Sequence, residues 1–351
     1  MTGPDKNSRI PILIISDGIP GHENQSLGIA EHIPGADIMI HRHHLRIGLS
    51  ETLFRLKIAA NPAISKKSAR VYLKQVFDEK IIDEIESHKP AGIIAAGTLA
   101  AAPCLLAGAL TGAKTCICMT PSLIPISRFD LAVVPFHDNP PNHPKIIKTI
   151  SAPNRVSRSM LESESRKWSD ELPRGDRSVI SWVIGGPSSS ATFNSELVLD
   201  AIEKSTAWAD KNNIRIWLST SRRTPESLEN EIEKLKISHG SLEWMLLWHR
   251  DNRNPLYAMF HESKTALVTS DSVSMIAEAA SAACGPIIFN SSTLSGKHEK
   301  MIDRLLDAGY GRLASSSNDL LQILAETTKS SADWPALDET QSVADKFRAL
   351  T

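Results

Sequence analysis

The sequence predicts an α/β protein made of two Rossmann-like, doubly wound domains that face a central cleft. Short apolar runs of strand length alternate with helical patterns along most of the 351 residues. Polar turns rich in glycine and serine follow several of these runs, as is typical of parallel sheets that bind ligands at the carboxyl ends of their strands. A charged stretch at residues 157–177 interrupts the alternation and is predicted to be the interdomain linker. The chain is long enough for two domains of ordinary size.

The first domain is predicted to span residues 1–156. Its longest helix is predicted at 65–88, where apolar side chains recur on one stripe: Tyr72, Val76, Phe77, Ile81, Ile82 and Ile85. Further helices are predicted at 23–32 and 98–110. The predicted strands are 10–16, 36–41, 91–96, 114–119, 131–135 and 146–150.

The second domain is predicted to span residues 178–337, and a C-terminal helix at 338–351 is expected to pack back on the first domain. Predicted helices begin at residues 194, 225 and 255, and the second of these has Thr224 as its capping residue and Pro225 at its first position. A helix of small residues separates the last two predicted strands. The predicted strands are 178–184, 214–219, 244–248, 266–269 and 286–289.

Composition and charge exclude several classes of protein. An apolar content of 41% and a charged content of 23% are typical of a globular chain, and a net charge of −1 gives no overall attraction to nucleic acid. No run of 18 apolar residues occurs, so no membrane-spanning helix is expected. The polar N-terminus lacks the apolar core of a signal peptide. We therefore expect a cytoplasmic protein.

The cysteines indicate neither disulfide bonds nor a metal site. Cys104, Cys116, Cys118 and Cys284 form no Cys-x-x-Cys pair, and three of them sit in apolar surroundings. They are expected to be reduced and buried. Because no metal-ligand spacing is present, we expect no metal and no cofactor.

A polar loop at residues 16–26 follows the first predicted strand and is expected at the rim of the first sheet. Its glycines allow tight turns and the close approach of a ligand. His22 stands at the entrance of the next helix, and histidine is the usual general base for a hydroxyl nucleophile. Asp17 either orients His22 or takes the proton itself. In the alternative interpretation, His22 and Glu23 simply begin a helix whose dipole favours Glu23.

A second polar turn, residues 185–190, follows the strand predicted at 178–184 and reads Gly-Gly-Pro-Ser-Ser-Ser. It matches neither the dinucleotide-binding glycine pattern nor a Walker sequence. Its backbone N–H groups and hydroxyls still suit a diphosphate. Glycine turns after strands are common, however, so this turn alone is a weak signal.

Two adjacent arginines, Arg222 and Arg223, lie between a predicted strand end and a predicted helix start, directly after Ser221. Guanidinium forks match phosphate oxygens, and the helix dipole adds to the attraction for an anion. The alternative is a solvated arginine pair. Further along the chain, the polar loop 248–255 is expected to border a nucleotide base, with Asn254 capping the helix that Pro255 starts.

The turn Ser270-Asp271-Ser272 lies at the carboxyl end of the strand predicted at 266–269. Its side chains are expected to cap the following helix, and the free N–H groups there favour an anion. Glu278 lies two helical turns after Asp271, so both are expected on one face, where a carboxylate accepts hydrogen bonds from ribose hydroxyls. The alternative is a capped core helix with an exposed Glu278.

The segment 41–74 is rich in basic and apolar residues and contains a single acid, Glu51. Such a segment suits an anionic membrane surface or an acidic lipid acceptor, and a solvated helical face is the alternative. Its basic residues are Arg42, Arg46, Arg55, Lys57, Lys66, Lys67, Arg70 and Lys74.

Taken together and in this order, these motifs resemble the "elongated mitochondria" family of mitochondrial fission proteins, which has many bacterial members. The resemblance spans nearly the whole chain. That family is similar to glycosyltransferases of the GT-B fold, and its layout resembles the N-acetylglucosaminyltransferase of peptidoglycan lipid synthesis. The motifs are residues 16–26, Gly185-Gly186-Pro187-Ser188, Ser221-Arg222-Arg223-Thr224-Pro225, Asn254-Pro255 and Asp271-Ser272-Val273-Ser274-Met275.

The resemblance implies a role for each motif. The first loop approaches the acceptor, which makes His22 the candidate base and makes its neighbours Gly21, Glu23, Asn24 and Gln25 candidate substrate-binding residues. The diphosphate lies along Gly185, Gly186 and Ser188, and Glu278 meets the ribose. One departure from the similar transferase is Ala283, which stands where that pattern has glycine. The remaining candidate nucleotide-sugar residues are Ser221, Arg222, Arg223, Asn254, Asp271, Ser272, Ser274 and Met275.

We therefore predict a glycosyltransferase that moves a sugar from a nucleotide diphosphate sugar to a hydroxyl acceptor in a cell-envelope glycolipid or polysaccharide. It is expected in the cytoplasm, at the periphery of the inner face of the membrane. Two alternatives stay open: a nucleotide-sugar hydrolase or epimerase on the same fold, and a non-catalytic interaction protein at a membrane.

Overall fold

A computed structural model describes residues 9–43, 49–61, 63–189, 191–330 and 333–351, with only the backbone of Leu49. The chain folds into two compact units. The first unit runs to Arg155 and takes up Asp338–Thr351, and the second unit is Val156–Leu337. No helix in these described ranges is both long enough and apolar enough to cross a membrane.

The strands form two six-stranded sheets, one in each unit, and all neighbouring strands run parallel. The predicted fold class, an α/β chain with two Rossmann-like domains, is confirmed. The strands of the first sheet are β1 (Ile10–Ser16), β2 (Ala36–Arg42), β3 (Gly92–Ala96), β4 (Lys114–Cys118), β5 (Leu131–Pro135) and β6 (Ile146–Thr149). Those of the second sheet are β7 (Val179–Ile184), β8 (Arg215–Thr220), β9 (Leu242–Leu246), β10 (Thr265–Thr269), β11 (Gly285–Phe289) and β12 (Arg312–Ala314).

Each sheet has a point where the order of its strands reverses. The first sheet is ordered β2-β1-β3-β4-β5-β6, so the reversal lies between β1 and β3. The second is ordered β12-β11-β10-β7-β8-β9, so the reversal lies between β7 and β10. In open parallel sheets, the crevice at the carboxyl ends of the two strands flanking such a switch point is the usual ligand site.

Helices cover both faces of the sheets, and the core therefore forms layers on either side of the strands. In β1, Leu13 and Ile15 join one buried cluster while Ile12 and Ile14 join the other, as the two-residue period of a strand requires. The helices are α1 (Pro20–Glu31), α2 (Leu49–Ala60), α3 (Lys66–Leu73), α4 (Glu79–His88), α5 (Gly97–Thr111), α6 (Arg158–Lys167), α7 (Ser195–Asn212), α8 (Glu226–Ser238), α9 (Leu256–Glu262), α10 (Val273–Ser281), α11 (Gly296–Asp307), α12 (Ser317–Lys329) and α13 (Glu339–Arg348).

The single helix predicted at 65–88 is wrong, because the structure has two helices there, α3 and α4. Ser65 caps α3 by accepting a 3.2 Å hydrogen bond from the Ser68 N–H. The chain then turns, buries Val76 and Phe77, and restarts as a helix after Asp78, whose backbone is extended. Helices α2, α11 and α12 and strand β12 were also not predicted from the sequence.

The segment 157–177, predicted to be a linker, contains α6 and belongs to the second unit. Ser157 caps this helix by accepting a 3.2 Å hydrogen bond from the Met160 N–H. Trp168 and Leu172 are buried, and the Trp168 ring packs edge-on against Trp244 at a centroid distance of 6.0 Å. The charged residues of this segment lie on its outer side, which explains why its composition indicates a linker.

The C-terminal helix α13 is part of the first unit. The Glu339 carboxylate accepts hydrogen bonds of 2.6 Å and 3.1 Å from the backbone N–H groups of Ile150 and Ser151. Phe347 is fully buried, and its ring leaves no room for a side chain at Gly92, where a Cβ would lie 2.7 Å from Phe347 Cε1.

Candidate functional site

The loop after β1 begins its helix three residues earlier than predicted. Pro20 stands at the first helical position, and the extended Ile19 precedes it. The Ile19 carbonyl accepts 3.0 Å hydrogen bonds from the N–H groups of both His22 and Glu23. This start places His22 in the first turn of α1, at the carboxyl edge of the sheet.

Asp17 and His22 form a carboxylate–imidazole pair. The distance between Asp17 Oδ2 and His22 Nδ1 is 2.8 Å, and Asp17 Oδ1 accepts a 3.1 Å hydrogen bond from the Ile19 N–H. The Asp17 side chain is 1% exposed and that of His22 is 22% exposed. Burial raises the pKa of Asp17, but the hydrogen bonds from His22 and Ile19 outweigh it, so the net pKa is lowered. An ionised Asp17 holds the Nδ1 proton and leaves Nε2 of His22 as the acceptor.

Gly97, which the sequence analysis did not single out, completes this pair. It opens α5 directly after β3 with a positive φ of +82°. A Cβ at Gly97 would lie 2.5 Å from Cε1 and 2.6 Å from Nδ1 of His22, so the imidazole rests on a bare backbone. The pair therefore lies at the switch point between β1 and β3. A glycine at a strand–helix junction was the available signal, but the proximity of Gly97 to His22 depends on the strand order.

Glu23 is bound within the protein. Its carboxylate accepts hydrogen bonds of 2.9 Å and 2.6 Å from Arg42 and one of 2.7 Å from the Ser16 hydroxyl. Arg42 is the main reason that the pKa of Glu23 is lowered. Gly21 and Asn24 are exposed on the same helix. Of the predicted substrate-binding residues, Glu23 is thus already engaged in an ion pair.

Gln25 lies on the inner side of α1. Its Nε2 donates to Met119 Sδ over 3.8 Å, and its Oε1 is buried with no hydrogen-bond partner among the described residues. Met119 follows β4 with a positive φ of +70°. Gln25 therefore brings an amide toward the carboxyl edge of the first sheet, whereas the contacts of Glu23 fix the helix to β2.

The glycine turn (residues 185–188) follows β7 and is bonded to the end of β10. The Gly185 N–H donates to Thr269 Oγ1 over 2.8 Å, and the Gly186 N–H donates to Asp271 Oδ2 over 2.8 Å. A Cβ at Gly185 would lie 2.0 Å from Asp271 Oδ2, and one at Gly186 would lie 2.1 Å from the Arg223 carbonyl oxygen. Both positions therefore require glycine because other chain segments approach too closely for a side chain.

The arginine turn (residues 221–224) packs against the glycine turn. Thr224 does not cap α8 as predicted, because its hydroxyl donates to the Gly185 carbonyl over 2.6 Å and accepts from the Ser221 N–H over 2.9 Å. The two arginines differ. Arg223 donates to the Gly186 carbonyl and lies 3.1 Å from Asp271 Oδ2, whereas Arg222 is exposed and has no bonding partner in the described part of the chain.

Asp271 is the buried centre of this cluster, with a side chain that is 0% exposed. Burial raises the pKa of Asp271, and the Gly186 N–H, the Thr269 hydroxyl and Arg223 only partly offset that increase. The predicted capping of α10 is wrong. Ser272, the residue at the N-cap position, makes no capping hydrogen bond among the described residues. Asp271 turns to Gly186 instead, and the Ser270 hydroxyl accepts a 3.2 Å hydrogen bond from the Ser291 N–H.

His298 in the first turn of α11 joins the same cluster and was missed in the sequence. Its pKa is lowered by burial and by the charge of Arg223, while the charge of Asp271 acts in the opposite direction. Its Nδ1 is buried with no hydrogen-bond partner among the described residues. A histidine near a helix N-terminus was a visible signal, but nothing in the sequence placed it beside β7 and β10.

Glu278 contacts a different part of the second unit from Asp271. The Tyr257 hydroxyl on α9 donates to Glu278 Oε1 over 3.0 Å. Burial raises the pKa of Glu278 to about 7, and the Tyr257 hydrogen bond only partly opposes this. Its helix ends at Ser281, and Ala283, two residues further on, adopts a left-handed φ of +54° where the similar transferase pattern has glycine. The helix end is thus kept despite the departure.

The other candidate residues either make local hydrogen bonds or are exposed. Asn254 Oδ1 accepts a 3.1 Å hydrogen bond from the Leu256 N–H at the start of α9, and the Ser188 N–H donates to the Ala191 carbonyl over 3.0 Å. Ser274 is exposed and Met275 is partly exposed on the first turn of α10, directly after the buried Ser272. Ser190, part of the predicted diphosphate loop, lies outside the described residues.

A second carboxylate–imidazole pair, not predicted from the sequence, lies after β8 and β9. Glu229 is fully buried, and its Oε2 lies 3.0 Å from His249 Nδ1 and accepts a 3.2 Å hydrogen bond from the His249 N–H. The Thr220 hydroxyl at the end of β8 donates to the other carboxylate oxygen. The loop 248–255 is thus tied to the carboxyl edge of the second sheet.

Ion pairs within the protein reduce the charge predicted for the segment 41–74. Arg46 lies outside the described residues, and Lys57 and Lys67 have no acidic partner among the described ones. Leu53 and Leu56 on α2 are 49% and 44% exposed. The pairs are Arg42 with Glu23, Arg55 with Glu51, Lys66 with Glu86, Arg70 with Asp83 and Glu86, and Lys74 with Glu79.

Solved structures share this arrangement of two parallel α/β domains. The UDP-GlcNAc 2-epimerase from Methanocaldococcus jannaschii superposes with a TM-score of 0.54 at 12% identity, covering 97% of this chain and 99% of that chain. MurG from Acinetobacter baumannii superposes with a TM-score of 0.50 at 13% identity, covering 97% of this chain and 99% of that one. The protein is therefore of the GT-B-like fold class.

The sequence places the chain more narrowly within that class. A sequence model described as mitochondrial fission ELM1 matches residues 20–350. The chain therefore belongs to the mitochondrial fission ELM1 family. A similar protein is the uncharacterized protein RP120 of Rickettsia prowazekii (strain Madrid E), which is 23% identical over 342 residues that cover 89% of this chain and 92% of the relative.

Proposed function

We propose that the protein is a glycosyltransferase that moves a sugar from a nucleotide diphosphate sugar to a hydroxyl acceptor. The observation that carries this proposal is the Asp17–His22 pair, at 2.8 Å, at the switch point of the first sheet. A buried carboxylate that fixes the tautomer of an accessible imidazole is the arrangement that general base catalysis requires. The imidazole of His22 packs against the backbone of Gly97, which keeps the ring in one orientation.

The proposed reaction is balanced by one proton transfer. The bond between the sugar and the diphosphate oxygen breaks, and a bond forms between the same sugar carbon and the acceptor oxygen. His22 Nε2 takes the proton of the acceptor hydroxyl, and the ionised Asp17 stabilises the imidazolium that results. The leaving diphosphate carries away the electron pair and its negative charge, which Arg223 would stabilise.

The donor site is proposed in the second unit, where the glycine turn and the arginine turn meet at the other switch point. Ser188 would add a hydroxyl to the diphosphate site, and Glu278 would accept a hydrogen bond from the ribose in place of the one from Tyr257. Uridine diphosphate sugars are the first donors to test, because one protein of similar fold is named for UDP-GlcNAc. The similarity between that protein and this chain is one of fold alone.

The acceptor is proposed to be a lipid-linked sugar at the cytoplasmic surface of a membrane. Leu53, Leu56 and Lys57 lie on the exposed side of α2, at a helical spacing that forms one apolar and basic face. Such a face suits the boundary between headgroups and acyl chains. Because most of the predicted basic charge of 41–74 is paired, the apolar side chains carry more of this proposal than the charge.

The first test measures binding and transfer separately. A nucleotide diphosphate sugar that binds only the folded protein raises its melting temperature. His22→Gln should keep this thermal shift and lower glycosyl transfer by about 100-fold or more, since general base catalysis contributes about that factor. His239→Gln is the matched control, because its Nδ1 lies 2.9 Å from Asp210 Oδ2 on the amino side of β9. Equal loss in both variants would remove His22 from the mechanism.

The products decide between transfer and its alternatives. Free sugar released without an acceptor would identify a hydrolase, and an epimerised nucleotide sugar would identify an epimerase, the activity named for a protein of similar fold. No thermal shift with uridine, guanosine, adenosine, cytidine or thymidine nucleotide sugars would instead favour a non-catalytic protein. Variants of Arg223 would then leave its cellular role intact.

A further inference from the structure

The groups proposed to bind a diphosphate are already bound to a carboxylate of the protein itself. The Gly186 N–H donates to Asp271 Oδ2 over 2.8 Å, and Arg223 Nη2 lies 3.1 Å from the same oxygen. An incoming phosphate oxygen would therefore compete with Asp271 for the Arg223 guanidinium. Two fixed negative charges sharing one arginine in a buried site repel each other strongly.

The surroundings of Asp271 offer little replacement for Arg223. The side chain is 0% exposed, and its Oδ1 is buried without a hydrogen-bond partner among the described residues. Four groups face the carboxylate from the elements around it: the Gly186 N–H after β7, Arg223 after β8, the Thr269 hydroxyl of β10 and His298 of α11. Arg223 is the permanent cation in this set.

Loss of the arginine would leave a buried, uncompensated charge. A carboxylate in that position lowers its energy by taking up a proton, because desolvation opposes the charged form. The neutral acid keeps a carbonyl oxygen for the Gly186 N–H, and it gains an O–H donor for a phosphate oxygen. Protonation thus converts Asp271 from a competitor of the phosphate into a donor to it.

We propose that Asp271 takes up one proton when a nucleotide diphosphate sugar binds at the glycine turn. This inference rests on the proposed function, because it uses the same donor site. Asp271 is thereby a positioning residue, which binds Arg223 and Gly186 before the ligand arrives and releases Arg223 to the ligand.

The proton makes binding dependent on pH with a defined sign. Between the pKa values of Asp271 in the free and bound states, the ligand binds together with a proton, so affinity falls as pH rises. Asp271→Asn mimics the neutral acid and lacks this proton. The ratio of the wild-type dissociation constant to that of Asp271→Asn should therefore increase about tenfold per pH unit in that range.

The test is titration calorimetry with UDP-N-acetylglucosamine in buffers of different ionisation enthalpy, from about pH 5.5 to about pH 8.5. The diphosphate of a nucleotide sugar does not titrate in this range, so the protons counted belong to the protein. Glu278 of the same donor site titrates there too, because burial raises its pKa to about 7. The proton of Asp271 is therefore counted as a difference, and we expect the wild type and His298→Gln each to take up about one proton more than Asp271→Asn.

Two results would overturn the inference while the donor site itself stands: the same proton count in the wild type and in Asp271→Asn, or a count that changes only in His298→Gln. If Asp271→Asn does not fold, the count is made on Glu278→Gln, where uptake of about one proton supports the inference and no uptake overturns it. Absence of binding by the wild type at every pH, for UDP-, GDP- and ADP-sugars alike, would overturn the proposed function and this inference with it.

Discussion

Gly97 gives the most direct test of how the backbone positions His22. Gly97 and Gly112 stand at opposite ends of α5, and both have a φ of +82°. A Cβ at Gly112 meets nothing within 4 Å, whereas one at Gly97 lies 2.5 Å from His22 Cε1. Gly112→Ala therefore measures the cost of the left-handed backbone alone, and Gly97→Ala adds the collision with the imidazole.

The difference between the two variants can be worked out from these distances. Alanine in the left-handed region costs about 1–2 kcal/mol, of which about 0.4–1 kcal/mol is recovered from the stiffer unfolded chain. For Gly97→Ala the ring must also move by roughly 1 Å to reach normal contact distance. That movement breaks the 2.8 Å hydrogen bond to the buried Asp17. We expect Gly97→Ala to lose about 1–3 kcal/mol more stability than Gly112→Ala.

Urea unfolding followed by fluorescence or circular dichroism measures this difference as a shift in midpoint at constant slope. Donor turnover provides the second readout, where Gly97→Ala should approach His22→Gln and Gly112→Ala should stay within about twofold of the wild type. If the two alanine variants lose equal stability, the imidazole does not rest on Gly97. Equal turnover in both variants would show that the ring orientation has no catalytic consequence.

Three further predictions concern other parts of the chain. Ala283→Gly should raise the free energy of unfolding by about 0.5–1 kcal/mol, because φ is +54° there, and urea unfolding checks this. The pKa of Glu278 in the folded protein, about 7, lies above the ordinary glutamate value of 4.5, so Glu278 contributes stability that is present below pH 4.5 and is lost as pH rises toward 7. The unfolding free energy of the wild type should therefore fall by up to about 3 kcal/mol as pH rises across that window, and Glu278→Gln should not show this fall. A wild-type unfolding free energy that does not change with pH would contradict this prediction. Replacing both Lys57 and Lys67 by glutamate should weaken sedimentation with phosphatidylserine vesicles about tenfold or more, and unchanged binding would argue against a membrane contact through 41–74.

The sequence predicted most strands because each is a short apolar run bounded by polar turns. β1 and β5 were predicted with the bounds that the structure has. The edge strand β12 was missed, since it has three residues and two of them are exposed, which leaves no apolar run to detect. The break between α3 and α4 was missed because Val76 and Phe77 continue the apolar stripe through the turn.

The sequence predicts a candidate site best when all residues of that site lie in one loop. Asp17 and His22 are five residues apart, so their pairing follows from a single strand–loop–helix unit. The partners of Asp271 come from three other elements, and their meeting depends on the reversed strand order. For the same reason Thr224 was predicted to cap α8, whereas its hydroxyl donates a hydrogen bond to the Gly185 carbonyl.

A carboxylate beside an imidazole is a frequent arrangement in this protein, so pairing alone does not identify a catalytic base. His22 pairs with Asp17 at 2.8 Å, His249 with Glu229 at 3.0 Å and His239 with Asp210 at 2.9 Å. Position separates them. His22 stands between β1 and β3, where the strand order of its sheet reverses, and its ring lies on bare backbone. The loop that carries His249 follows β9, the outermost strand of its sheet, and His239 precedes that strand. A reacting group must reach the crevice that a switch point creates. The topology therefore favours His22 over His249 and His239, although their distances to a carboxylate are similar.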